Sequence, residues 1–102
     1  MIHHMLTQKD GHYHLMGALT HAHLTKVWEP LLQQFFEPAK QKIMLDVGSV
    51  EQVDSSFLAF LLALLRMVRK KNVLLEIEHL PENIKALMQV QGIWPLFEEL
   101  IR

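Results

Sequence analysis

Two short apolar runs, Lys42 to Val47 (Lys-Ile-Met-Leu-Asp-Val) and Val73 to Ile77 (Val-Leu-Leu-Glu-Ile), bracket a helical stretch from about Ser55 to Lys71. Runs of that length and aliphatic character read as central strands of a sheet. Strands joined through a helix lie parallel, because a tight hairpin cannot connect them. The expectation is a βαβ unit, with a loop over Gly48 to Val53 between the first strand and the helix. The unbroken apolar run from Phe57 to Leu65, extended by Met67 and Val68 beyond Arg66, falls well short of the roughly 18 to 20 residues that span a bilayer. It reads as a buried helix. Its basic end, Arg66, Arg69, Lys70 and Lys71, coincides with the negative end of the helix dipole, so capping is the expected role, with a basic ligand patch as the alternative.

The flanking segments complete a sheet covered by helices. Lys9-Asp10-Gly11 is a turn signal between Met5 to Gln8 and His12 to Ala18, the pattern of an edge hairpin. From Leu24, the apolar positions Val27, Trp28, Leu31, Leu32 and Phe35 keep to one helical face. Pro30 requires that helix to kink or to start late, and Pro38 ends it. After the second strand, Pro81 suits the first turn of a helix with Ile84, Leu87 and Met88 on its buried side and Gly92 at its end. Pro95 opens a short last helix carrying Leu96, Phe97, Leu100 and Ile101. The order is ββαβαβαα, an α/β fold of about four strands.

With 102 residues, half of them hydrophobic, the chain is expected to form one domain, 1–102, with a real core. A net charge of -1 argues against nucleic acid as a partner, since phosphate neutralisation needs clustered cations. The chain has no cysteine, hence no disulfide, thiol nucleophile or Cys-ligated zinc. Met1 to Asp10 lacks the basic start and apolar stretch of a secretory signal, so a cytoplasmic location without direct membrane insertion is expected.

Enzymatic signatures are absent: there is no Gly-rich phosphate loop, no Gly-x-Ser-x-Gly elbow and no His-Glu-x-x-His. No catalytic residue and no cofactor is expected. His12 and His14 alternate onto one strand face, with His21 and His23 nearby, but no further ligand follows at a diagnostic spacing, so no metal site is expected. Asp54 or Ser55 can cap the long helix by accepting a backbone N–H bond. A hydroxyl at that strand-to-helix edge also lies beside unpaired N–H groups that can meet a phosphate or a partner's polar group.

The pattern Leu45-Asp46-Val47, Val50, Val53-Asp54-Ser55-Ser56, Leu58 and Leu61-Leu62 resembles the signature of STAS domains, the fold shared by bacterial anti-anti-sigma factors, sulfate-transporter tails and MlaB. The similarity runs from about Leu6 to Ile101 and takes in Met16-Gly17-Ala18-Leu19 and Gly92-Ile93. The short N-terminus, Trp28 in the first helix and the direct entry at Val-Asp-Ser-Ser are most similar to MlaB-type members. The resemblance implies a non-enzymatic cytoplasmic subunit, peripheral at the inner membrane, that binds the MlaF-like ATPase of an ABC transporter moving phospholipid between the membranes of a Gram-negative envelope, and through it the permease. In anti-anti-sigma relatives the hydroxyl residue after the Asp is phosphorylated, and in MlaB-like proteins a Thr there lies against the ATPase. Both roles map to Ser55. An anti-anti-sigma phospho-switch controlled at Ser55 is therefore the alternative reading. Thr20 stands where the family commonly has Asp, which implies that the loop before the first helix is held differently. Phe57 replaces a small residue, which would hinder the approach of a kinase.

Independently of any resemblance, from Phe57 to Val68 only Arg66 is polar, whereas a helix packed on one side should be polar on the other. Phe57, Phe60 and Leu64 are accordingly expected to form an outer apolar face that a partner covers. The expected partner-binding set is Asp54, Ser55, Ser56, Phe57, Phe60 and Leu64.

Overall fold

The computed structural model describes residues 4–36 and 41–102. Strands β1 (Leu6–Lys9) and β2 (His12–Leu19) form the expected antiparallel hairpin, with Lys9 opposite His12. Between them Asp10 and Gly11 have φ of 52° and 79°, the left-handed pair that a two-residue hairpin turn requires. Strand β3 (Lys42–Val53) lies parallel to β2, and β4 (Leu74–Glu78) parallel to β3, in the order β1-β2-β3-β4. The β3-to-β4 crossover runs through helix α3 (Ser55–Lys70), as the βαβ pattern requires.

Two strand expectations are corrected. Residues 48–53 are not a loop: β3 continues through them, pairing from Met16 with Ser49 to Leu19 with Val53, with one register irregularity just before this stretch, between His14 and Met16, and one within it, between Gly17 and Ala18. Strand β4 is at the sheet edge rather than central. Its apolar content serves one face only, because Leu75 and Ile77 are buried whereas Leu74 is 68% exposed.

The segment read as one helix from Leu24 is two, α1 (His21–Leu24) and α2 (Trp28–Gln34). Pro30 is the third residue of α2, where the backbone N–H has no intrahelical acceptor to lose. The helix therefore starts late and does not kink. Pro38 lies outside the described residues. Helix α4 (Glu82–Val90) has Pro81 as its N-cap, and Gly92 follows it with φ of 77°. Helix α5 (Trp94–Phe97), with Pro95 in its first turn, leads into a 3-10 turn over Glu98–Leu100.

One hydrophobic cluster joins Tyr13, Leu15, Ile43, Leu45, Val47, Leu75 and Ile77 of the sheet to Leu31, Phe35, Ile84, Met88 and Phe97 of the helices. The alternate strand positions, among them His12, His14, Lys42, Asp46 and Glu76, stay exposed or half-buried on the other face.

Helix α3 overturns the largest expectation. Phe57, Phe60 and Leu64 are all 0% exposed, so they form no outer face. At about 100° per residue the seven buried residues of α3 span an arc of about 160°, and two layers meet that arc. The sheet takes one flank and α2 the other. Trp28 meets the Phe60 ring edge-on with centroids 5.2 Å apart, and Phe35 stacks between Phe60 at 6.3 Å and Tyr13 at 4.7 Å.

Candidate helix-edge docking site

The C-terminal ends of two parallel strands deliver the N-termini of α1 and α3 to the same edge. Strand β2 ends at Leu19 and β3 at Val53, which are paired, and one residue later each chain turns into its helix. Asp54 has the extended backbone of an N-cap, and its Oδ1 accepts the Ser56 N–H at 2.9 Å. Its Oδ2 accepts the His21 N–H at 3.0 Å. One carboxylate thus caps two helices and ties them together.

Thr20, the N-cap residue of α1, makes no capping hydrogen bond with its own side chain. Its hydroxyl pairs instead with His23 Nδ1 at 2.9 Å. The loop before α1 is therefore held from across the site, by Asp54. The His21 N–H is the leading reason that the Asp54 carboxyl lies below its ordinary value. Burial pushes the other way by less, and the Ser56 N–H lowers it further. Asp54 stays ionised, which suits its place at two positive helix ends.

Around this junction the His21 ring reaches Ser56, with Oγ and Nδ1 3.3 Å apart. The Thr25 hydroxyl donates to the His21 carbonyl at 2.7 Å. His21, Leu24, Thr25, Trp28 and Ser56 line a groove of about 250 Å³. Ser55, the neighbour of Ser56 in the chain, is exposed, and its hydroxyl has no partner among the described residues. The arrangement holds no nucleophile, base and orienting acid in line. It offers a rigid rim with a free hydroxyl, a half-buried Trp28 and a shallow groove, which is the equipment of a docking surface.

Of the residues singled out from sequence, Asp54, Ser55 and Ser56 meet here. Asp54, not Ser55, is the cap. Phe57, Phe60 and Leu64 lie beneath the site and support it from the core. Sequence reasoning missed the roles of His21, Thr25 and Trp28 at this edge. The signal for Trp28 was its place on the helical stripe, whereas no local pattern pairs His21 with Asp54 across 33 residues.

The other histidines lie elsewhere. On the open face of the sheet, Asp46 Oδ2 faces His14 Nδ1 at 3.5 Å and His79 Nδ1 at 3.1 Å, and Oδ1 accepts the Gly48 N–H at 2.8 Å. This carboxylate comes from the neighbouring strand, so no spacing around His12 and His14 announces it. Among the described residues no group of three His, Cys, Asp or Glu side chains is arranged to hold a metal ion. No helix among them is long and apolar enough to cross a membrane.

The family model described as "Mlab, STAS domain" matches residues 3–97. No curated protein is significantly similar in sequence. Among solved structures, the anti-sigma factor antagonist SpoIIAA in its unphosphorylated form is similar with a TM-score of 0.71 at 16% identity, over 95% of this chain and 84% of that one. A sulfate transporter family protein from Wolinella succinogenes is similar with a TM-score of 0.71 at 14% identity, over 93% of this chain and 79% of that one. At such identities the likeness shows a shared fold.

Proposed function

The chain belongs to the STAS-domain family, and from that premise we propose that it is a non-catalytic, cytoplasmic binding subunit of MlaB type that docks on the ATPase of a phospholipid-transporting ABC system and regulates it. The observation that carries the reading is the junction held by Asp54, which presents the unengaged Ser55 hydroxyl on a rigid rim beside the Trp28 groove. A free hydroxyl at a helix N-terminus serves as a hydrogen-bonding contact for a partner, and the fixed backbone lowers the entropy cost of docking. The family model's description supports the MlaB assignment. STAS domains are typically regulatory and not catalytic, which supports the non-catalytic reading. Attachment to the inner membrane follows through the ATPase and its permease.

Titration calorimetry of the purified chain with the ATPase subunit of a phospholipid-transporting ABC system from the same organism tests the reading. Ser55→Thr is expected to bind like wild type. Ser55→Ala should lose about 0.5 to 1.5 kcal/mol, the net worth of one hydrogen bond. Ser55→Asp should bind worst, because a carboxylate would be desolvated at the contact. Wild-type affinity in Ser55→Asp would remove Ser55 from the interface, and no binding by wild type would remove the ATPase as partner.

The exposed, unengaged Ser55 hydroxyl also favours a second reading, the phospho-switch of an anti-anti-sigma regulator, in which phosphate at Ser55 blocks docking by charge. Mass spectrometry of the protein from cells distinguishes the two, since only the switch requires a phosphorylated Ser55 population.

A further inference from the structure

Helix α3 turns a continuous stripe to solvent that the docking site occupies at one end only. At about 100° per residue, Ala59, Leu62, Arg66, Arg69 and Lys70 all lie within about 60° of Ser55 around the helix. All of these are exposed except Leu62, which is half-buried. The stripe begins at a hydroxyl and ends in cations, in a chain whose net charge is -1.

Those cations are unspent. Among the described residues the ion pairs use His14, Lys42, His79 and Arg102, so Arg66, Arg69 and Lys70 have no carboxylate. Lys71 differs, lying over the Phe36 ring at 5.7 Å. The end of a helix offers about half a negative charge. That accounts for one cation near the helix end and not for the two in its last turn together with Arg66.

Distance links this cluster to the docking rim. Arg66 lies about 17 Å along the axis from Ser55 at 1.5 Å per residue. An interface of ordinary size covers about 800 Å² of each partner, a patch roughly 30 Å across. A partner seated at the α3 N-terminus therefore reaches Arg66 at its rim and faces the other two cations just beyond. Charges at a rim act mainly on the rate of encounter and on the choice of partner.

We infer that the partner docking on α3 is a protein surface that is acidic opposite Arg66, Arg69 and Lys70, with carboxylates that the two guanidinium groups hold by paired hydrogen bonds. The inference rests on the Ser55 edge being the docking site and adds the chemistry of the surface that meets it. Continuity of the cations with that edge along one helix flank argues for a single protein partner spanning both.

The test is the association rate of the ATPase subunit with wild type and with Arg66→Glu/Arg69→Glu, at about 0.1 M and about 1 M salt, where the screening length falls from about 10 Å to about 3 Å. Both side chains are exposed, so the variant should keep its circular dichroism and melting temperature. It is expected to associate about tenfold or more slowly at low salt, with the rates converging at high salt. Equal rates at low salt overturn the inference, and if Ser55→Asp still weakens binding the docking reading survives alone. No binding by wild type overturns both. Cosedimentation with phosphatidylglycerol vesicles that the variant loses, with ATPase association unchanged, assigns the cations to lipid headgroups and overturns the inference as well.

Discussion

Asp54 satisfies N–H groups of two helices whose N-termini would otherwise carry orphan donors at one crowded edge. Losing one such cap costs about 0.5 to 2 kcal/mol. Asp54→Ala is therefore expected to fall at the upper end of that range, about 2 kcal/mol in urea unfolding, and Asp54→Asn to cost less, since an amide keeps one acceptor oxygen. Ser55→Ala should stay within about 0.5 kcal/mol of wild type in the same measurement, because its hydroxyl bonds to nothing that folding needs. The capping role was legible from Asp-Ser-Ser before an apolar run, but the second oxygen's bond to His21 was not. Gly48 shows the same division. A Cβ there would sit 2.9 Å from His79 Cβ, and His79 holds a left-handed φ of 58°. Gly48→Ala should destabilise by about 1 to 3 kcal/mol. Adding His79→Gly should recover part of that loss, because glycine lacks the Cβ and adopts the left-handed conformation freely. Thermal unfolding of the four proteins in the cycle reads the coupling directly, and strict additivity would show that the contact does not matter.

Helix α3 was legible as an element and misread in its surroundings. Its limits, its apolar run and its basic end follow from local sequence, and helix and βαβ crossover are both present. The error concerned which side chains lacked cover. Judged against a sheet alone, Phe57, Phe60 and Leu64 were surplus. The structure places α2 against that flank, so Phe60 rests between Trp28 and Phe35. Phe60→Ala is accordingly expected to cost about 3 to 5 kcal/mol and Phe60→Glu to unfold the chain. Leu62→Ala, on the half-buried outer flank, should cost clearly less. Circular dichroism melting checks the ranking, and a folded Phe60→Glu would restore the outer-face reading. The division of the first helix into α1 and α2 was signalled by Pro30, which allowed a late start. The continuation of β3 past Val47 had no such signal, since Gly48, Ser49, Glu51 and Gln52 are poor strand formers that only pairing with β2 holds extended.

Across the molecule, carboxylates on the open face of the sheet and at the helix edge lie below their ordinary values, and their acid limb follows. Burial pushes Asp46 up, but the Gly48 N–H and the His79 and His14 imidazoles together outweigh it. The Lys42 ammonium, with Arg102 beyond it, does the same for Glu76, and the His21 N–H leads for Asp54. A carboxyl whose folded value is depressed adds stability that is present above its ordinary value, here 3.8 for the Asp residues and 4.5 for Glu76. That stability is lost as pH falls through the folded value. Melting temperature is therefore expected to fall as the pH drops below these ordinary values, and to fall less in Asp54→Asn, which has one fewer group to protonate. An acid limb as steep in the variant as in wild type would mean that Asp54 ionisation is not linked to folding.

What the sequence determined by itself was whatever depends on near neighbours: the period of apolar residues, the Asp-Gly turn, the proline limits, the parallel crossover and a helix cap at Asp54 or Ser55. The tertiary structure alone decided which flank α2 covers, which strand lies at the edge, and that His21 and Ser56, 35 residues apart, meet beside the same carboxylate. The reason is physical. Local periodicity reports that a side chain must be buried or a donor satisfied, whereas the group that buries or satisfies it comes from an element whose position is set by packing the whole chain.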